Sequence, residues 1–335
     1  MPRPKPLVLS KVELLDFLVR VDRDEASSAR VLAMETELRR RIIRHLEALS
    51  STHAKFAKLN TNPFVLMIYA FQNRFCRIGE IETLIMPAKI FSSMETSAGR
   101  MIEAVVLPTY GWEVVESSMH SQDSAIDGRK KVGDVVRLAT LKSGPRCLND
   151  EMSENLADAI FLNCEAWAAH AGVRKVDFTY GVLYGTKKQS NKKDWHILRK
   201  LVEKLSSGID EGPDGSWHCR FTKNEIEVAV TIRIGIDLWS HIAAHDLAFM
   251  EICVALLRAC VVPADLEQSE RSYSISDLAN IVSLEGISAR FNTKILQRSQ
   301  LEWLFFFARH FCDALVAGDL DSLTDGARPG SSLLG

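Results

Sequence analysis

The stretch SAIDGRKKVGDVVRLATLKSGPRCLND, residues 124–150, decides the fold. Its Gly133-Asp134 pair is a two-residue turn with glycine in the first central position, which is typical of a type II′ β-hairpin. The segment after the turn, VVRLATLK at 135–142, is almost continuously apolar, as expected of a central strand covered on both faces. The sequence therefore predicts a hairpin whose second strand lies inside a sheet.

This hairpin brings two chemically useful side chains together. Counting back from the turn puts Asp127 opposite Thr140. Lys142 is then the diagonal neighbour of Asp127 on the same face, with Cβ atoms within about 8 Å. Carboxylate oxygens suit Mg²⁺, and a lysine beside them can orient a water or help to deprotonate it. A structural cross-strand ion pair between the two side chains is the alternative.

The flanking sequence predicts a mixed α/β core. Before the hairpin, apolar residues from Ala98 to Val106 repeat at helical spacing, and Glu103 lies off this stripe. Pro87 is expected to break the helical segment that precedes it. After a short strand and the hairpin, the pattern predicts a long amphipathic helix and two alternating strands. These predicted elements span 112–118 (strand), 148–171 (helix), 175–185 (strand) and 225–235 (strand).

The two ends of the chain are predicted to be helical. We divide the chain into a helical N-terminal region (1–60), a core (61–260) and a helical C-terminal extension with a frayed tail (261–335). The N-terminal region contains the basic cluster LRRRIIRHLEAL, which is either a solvated helix face or a stripe that faces phosphates. Dimerisation is the other role expected of this region.

Composition excludes several classes of protein. The 335 residues include 41 Lys and Arg against 43 Asp and Glu, and 47% are apolar, so disordered and collagen-like classes do not apply. No apolar run reaches the length of about 18 residues that a bilayer span needs, so no membrane partner is expected. Seven scattered cysteines without a C-x-x-C pair indicate reduced thiols, and we expect a cytoplasmic protein.

Seven segments, in the same order, resemble the PD-(D/E)XK nuclease core, whose order is helix, three-stranded meander, helix and strand. Within that superfamily the chain resembles type II restriction endonucleases that cut interrupted palindromes with a GG-N-CC centre. The resemblance covers roughly residues 60–260. The segments are NPF (62–64), TSAGRMIEAVVLPTYG (96–111), AID (125–127), LATLKSG (138–144), YGVLYG (180–185), WHILRKL (195–201) and IDLWSHI (236–242).

The resemblance implies roles for particular residues. Asp127 takes the place of the motif's first acid and metal ligand, and Lys142 that of the lysine that handles the attacking water. Glu103 takes the place of the helix-borne acid that supports the metal. Thr140 stands where the motif has its second acid, which leaves a hydroxyl at that position.

The missing acid leaves the second carboxylate open. The carbonyl of Leu141 is a further metal ligand on this hypothesis. Glu103 is favoured as the second acid, with Glu116 as the alternative. Asp134 is excluded, because eight residues of extended strand separate it from Lys142 by about 26 Å.

The function that the resemblance implies is Mg²⁺-dependent hydrolysis of double-stranded DNA at a short interrupted palindrome, leaving 5′-phosphates. Such enzymes act as homodimers, since a two-fold protein matches a two-fold site. A cognate DNA methyltransferase that acts on the same site is a further expected partner. The alternatives are a structure- or damage-specific nuclease on the same core, an inactive DNA-binding protein, and an α/β protein whose Asp127–Lys142 pair is structural.

Two other patterns carry less weight. His241 and His245 have the i, i+4 spacing of zinc ligands on a helix, but the glutamate of an HExxH motif is absent. Two basic segments, at 129–131 and 187–193, are either solvated or in contact with phosphates.

Overall fold

The computed structural model describes residues 9–51, 78–116, 123–205, 208–211, 216–261 and 293–296, together with residues 68, 72, 73, 301 and 304. The NPF segment at 62–64, and nearly all of the C-terminal extension, lie outside the described residues.

The described residues form seven helices and seven strands. The helices are α1 (Lys11–Arg23), α2 (Glu25–Ser51), α3 (Ile78–Thr109), α4 (Asp150–Ala171), α5 (Lys193–Leu205), α6 (Ile236–Ala243) and α7 (Ala248–Cys260). The strands are β1 (Glu113–Val114), β2 (Gly128–Val132), β3 (Val135–Lys142), β4 (Lys175–Val182), β5 (Ile209–Glu211), β6 (Trp217–Lys223) and β7 (Ile226–Ile234).

All seven strands belong to one mixed sheet with the order β1-β2-β3-β4-β7-β6-β5. The central strands β3, β4 and β7 are parallel, and antiparallel strands flank them on both sides. The carboxyl ends of the three parallel strands, at Lys142, Val182 and Ile234, therefore meet at one edge of the sheet, which we call the carboxyl edge. The α/β class expected from the sequence is confirmed, as is the order helix, three strands, helix, strand.

Each face of the sheet is covered by a different set of helices. On one face, side chains such as Leu138 and Phe178 pack with Trp167 of α4 and Ile197 of α5. On the other face, Leu141 belongs to an apolar cluster that also includes α1, α2, α3, α6 and α7. The strict alternation of strand side chains explains why neighbouring residues of β3 belong to different clusters.

The predicted hairpin and its register are confirmed. Val132 pairs with Val135 and Gly128 with Ala139, which puts Asp127 level with Thr140. Gly133 has φ +59°, as the first central residue of a type II′ turn requires.

Four elements differ from expectation or were not predicted. Helix α3 continues through Pro87, so the predicted break is wrong. A proline removes only one backbone donor, and a helix of 32 residues tolerates that loss. Helix α5 and strands β5 and β6 were not predicted from the sequence.

In the described part of the chain, no helix is sufficiently long and apolar for a membrane crossing.

Candidate functional site

Asp127 is held in place at the point where β2 begins. Its backbone N–H donates to the carbonyl of Ala139 on β3 at 2.8 Å. Its own carbonyl accepts from the N–H of Val115, just after β1, at 3.0 Å. The residue is therefore fixed between two strands, which is a rigid position for a functional side chain.

The Asp127 carboxylate turns towards β3. Its Oδ2 accepts from the backbone N–H of Leu141 at 2.6 Å and from the hydroxyl of Thr140 at 3.2 Å. Both bonds go to the same oxygen, so Oδ1 is the atom that can bind another group. Thr140 is 3% exposed, and its hydroxyl orients the aspartate.

The carbonyl of Leu141 is on the same side as this carboxylate. The N–H and C=O of one strand residue point to the same edge, and the N–H of Leu141 points to Asp127. The next carbonyl, that of Lys142, points the other way and accepts from the N–H of Leu183 at 2.9 Å. A carboxylate oxygen and a backbone carbonyl therefore converge beyond the end of β2.

Glu103 on α3 adds a second carboxyl group to this place. Burial and the negative charge of Asp127 raise its pKa to about 7, against the opposing influence of Lys142 and Arg100. With this pKa the carboxyl is only partly ionised at neutral pH, and a cation at the site would favour the ionised form. The other candidate acid, Glu116, is exposed in the segment after β1.

Helix α3 approaches the end of β3 closely at a glycine. A Cβ atom on Gly99 would lie 3.3 Å from the Cβ of Ser143. Gly99 is one helical turn before Glu103, so the glycine permits the approach that brings Glu103 towards Lys142. Arg100 also acts on the pKa of Glu103, and this residue was not predicted from the sequence. It is three residues before Glu103, so helical spacing was the signal that could have found it.

The oxygen atoms gathered here suit a hard divalent cation. The donors are Asp127 Oδ1, the carbonyl of Leu141 and the carboxylate of Glu103, and oxygen ligands are those that Mg²⁺ prefers. A cation would also relieve the repulsion between the two carboxyl groups, so the residues fit the expected ion. Within the described ranges no group of three or more His, Cys, Asp or Glu side chains could hold a metal ion, so two carboxylates are what this site offers.

The histidine pair does not form a zinc site. Helix α6 ends at Ala243, and Ala244 has φ +62°, so His245 lies outside the helix and the predicted i, i+4 geometry is wrong. His241 Nε2 lies 3.0 Å from the hydroxyl of Thr179, while His245 lies edge-on to the ring of Tyr110.

The two basic segments have different surroundings. In the first, Arg129 pairs with Glu113, and the ammonium groups of Lys130 and Lys131 donate to backbone carbonyls at 2.7 Å. These side chains stabilise the fold around the hairpin. In the second segment, three lysines line a cavity at the carboxyl edge, and Lys193 pairs with Asp150.

Comparisons with known proteins add no relative to this description. No protein-family model matches the chain, and no curated protein matches it.

Proposed function

We propose that the chain is a Mg²⁺-dependent type II restriction endonuclease that hydrolyses double-stranded DNA at a short interrupted palindrome. The observation that carries this proposal is the convergence of Glu103, Asp127 and Lys142 at the carboxyl edge. The order of α3, β1, β2, β3, α4 and β4 is compatible with the PD-(D/E)XK core that the sequence resembles.

Asp127, Glu103 and the carbonyl of Leu141 would hold the metal ion. When bound, Mg²⁺ supplies positive charge that neutralises the phosphate under attack. Thr140 keeps the Asp127 carboxylate in its orientation through the 3.2 Å hydrogen bond. The second acid of the motif is replaced by this hydroxyl, and Glu103 supplies the missing carboxylate from the helix.

Lys142 handles the water. Its ammonium group donates a hydrogen bond to a water oxygen and holds it in line with the bond that breaks. A bond forms between that oxygen and phosphorus, and the bond from phosphorus to the 3′ oxygen breaks. The water loses a proton, the 3′ oxygen gains one, and the products are a 5′-phosphate and a 3′-hydroxyl.

A homodimer is part of the proposal, because a palindrome has two-fold symmetry. Leu32 and Ile43 on α2 support a contact through the N-terminal helices. They are 56% and 49% exposed, and eleven residues, three helical turns, separate them, so both lie on one face of α2. A methyltransferase that modifies the same DNA site is the proposed functional partner.

The test is to incubate the purified protein with sequenced plasmid and phage DNA, in Mg²⁺ and in EDTA. Discrete fragments that require Mg²⁺ and that disappear in Lys142→Ala are expected. Lys131→Ala, in the same hairpin but outside the site, is the matched control and should cut normally.

Other results would lead to other functions. A smear without fixed fragment ends would favour a structure- or damage-specific nuclease. Binding without cutting, insensitive to Mg²⁺, would favour an inactive DNA-binding protein, for which the Thr140 replacement is the supporting feature. If the protein neither binds nor cuts any of several unmethylated DNAs, the proposal is wrong.

A further inference from the structure

A cavity of about 280 Å³ lies beside the proposed catalytic site, at the carboxyl edge of the sheet. Its floor is apolar and consists of the buried Ile232 and Ile234 at the end of β7. Trp217, half-buried at the start of β6, forms an aromatic wall. A floor and wall of this kind suit a ring or a sugar.

The rim of the same cavity is basic. Lys187, Lys188 and Lys192 line it, and the last two are exposed to solvent. Below them, Asp194 is buried, and its Oδ1 accepts from the hydroxyl of Ser190 at 2.8 Å. Burial raises the pKa of the Asp194 carboxyl. The cavity therefore combines an apolar interior, polar groups and three cations.

The cavity and the proposed catalytic site lie on the same face of the sheet. Thr140, Tyr180, Ile232 and Trp217 are direct partners across β3, β4, β7 and β6, so their side chains share that face. Thr140 contacts Asp127 at one end of this row, and Trp217 lines the cavity at the other.

The proposed catalytic site and the cavity are separated by only a few nucleotides of a DNA strand. The end of β3 at Lys142 and the end of β7 at Ile234 are two strand spacings apart, about 10 Å. At about 3.4 Å of rise for each nucleotide, this corresponds to about three nucleotides along one strand.

The loop that carries the lysines is attached to the loop that follows Lys142. The N–H of Asn191 donates to the carbonyl of Pro145 at 3.3 Å, and its side-chain amide donates to the carbonyl of Leu148 at 2.9 Å. Arg146 Nε also donates to the carbonyl of Gln189 at 3.2 Å. These bonds fix the rim of the cavity relative to the catalytic lysine.

We infer that this cavity binds a nucleotide that is not base-paired, with its phosphate at the lysine rim and its base against Trp217. The inference rests on the proposed nuclease function, because the cavity lies within a few nucleotides of the atoms assigned to cleavage. The volume is about that of one nucleotide. Aromatic rings stack on any base, and lysines bind phosphate without reading sequence. The nucleotide comes either from the end of a DNA strand or from free mononucleotide.

Binding is tested by titration in EDTA, with quenching of tryptophan fluorescence as the readout. The probes are deoxyadenosine 5′-monophosphate, deoxyadenosine, inorganic phosphate, a single-stranded hexanucleotide and a blunt duplex. The mononucleotide should bind at least about tenfold more tightly than the nucleoside or phosphate alone. Its quenching should be lost in Trp217→Phe and should not be produced by the blunt duplex. A hexanucleotide that binds about tenfold more tightly than the mononucleotide identifies the strand end as the source, and equal affinity identifies the free nucleotide.

Two charge-matched variants locate the site. Lys188→Glu/Lys192→Glu should weaken nucleotide binding about tenfold or more, whereas Arg174→Glu/Lys175→Glu, at the opposite edge of the sheet, should change it less than about twofold. Lys142→Ala should retain nucleotide binding, which separates the cavity from the catalytic site.

The failure of this inference differs from the failure of the proposed function. If the wild-type protein cuts DNA but binds no nucleotide, or if the two charge variants behave alike, the cavity assignment is wrong and the nuclease proposal stands. If the protein neither cuts nor binds duplex DNA, the nuclease proposal is wrong and the assignment of the cavity to a DNA strand is wrong with it.

Discussion

Glu251 on α7 and Glu103 on α3 are both withdrawn from water, but their partners differ. Glu251 has no exposed surface, and Arg30 binds it with two hydrogen bonds of 2.9 and 2.7 Å. The hydroxyl of Tyr110 donates a third bond at 2.7 Å. Burial acts to raise the pKa of Glu251, and the bonds from Arg30, Ser27 and Tyr110 outweigh it, so that the pKa is lowered.

Glu103 has the opposite balance. Burial and the charge of Asp127 outweigh the influence of Lys142 and Arg100, so its pKa rises to about 7. A buried acid with a complete set of partners stabilises the fold, and its loss is felt in stability. A buried acid beside another acid costs stability, and such groups cluster at functional sites. The comparison therefore assigns Glu251 to the fold and supports the proposed role of Glu103 in the metal site.

The largest expected effect is on activity at the Asp127 site. Asp127→Asn keeps the shape of the side chain and an oxygen that can accept from Leu141, but removes the charge. We expect DNA cleavage to fall about a thousandfold, with duplex binding retained. Single-turnover cleavage and a gel-shift titration measure the two quantities. Asp134→Asn, in the exposed turn of the same hairpin, is the control, and equal losses in both variants would contradict the assignment.

The next effect is on stability at the Glu251 cluster. Arg30→Met leaves a buried carboxylate without its main partner, so the free energy of unfolding should fall by about 3 kcal/mol. Urea denaturation measures it. Arg20→Met removes an ion pair to Asp246 that is 43% and 58% exposed, and should cost less than about 1 kcal/mol. Loss of cleavage in folded Arg30→Met would undermine the division between the two clusters.

The pH dependence of stability is a further difference between Glu103 and Glu251. The folded pKa of Glu103 is above its unfolded value, so the folded protein binds more protons, and this group costs stability as pH rises from about 4.5 to about 7. In EDTA, Glu103→Gln should therefore be more stable than wild type by about 2 kcal/mol at pH 8, with no difference near pH 5.

Metal addition completes this test. Mg²⁺ at pH 8 should stabilise the wild type and have little effect on Glu103→Gln, as measured by thermal unfolding with and without the ion. A stability difference that is the same at pH 5 and pH 8 would show that Glu103 does not titrate as described.

The smallest expected effect is at Thr140. Thr140→Val removes the hydroxyl that orients Asp127, so cleavage should slow about tenfold while stability falls by about 1 kcal/mol. Thr179→Val, which removes a comparable contact to His241, is the control and should lose stability without slowing cleavage. Equal cleavage rates in the two variants would show that Thr140 has no role in the site.

Much of the central sheet could be predicted because its determinants are local. The glycine turn and the alternation of apolar residues fix the β2–β3 register over a few residues, and the structure has that register. The helix after β3 and the strand after it follow from the same kind of pattern. Strand β6 was missed because a short alternating segment such as WHCRFTK is ambiguous without its neighbours. Helix α5 was missed although its apolar residues have the spacing of an amphipathic helix. The histidine pair was misjudged because the αL residue at Ala244 ends α6.

The candidate site divides in the same way. The sequence by itself determined that Asp127 and Lys142 share one face of a hairpin, because register is a property of adjacent strands. Only the tertiary structure decided that Glu103 lies beside them, since this depends on the close packing of α3 at Gly99 against Ser143. The cavity between the loop after β4 and the ends of β6 and β7 likewise depends on strand order. Strand order in a sheet is set by long-range packing, which no local pattern encodes.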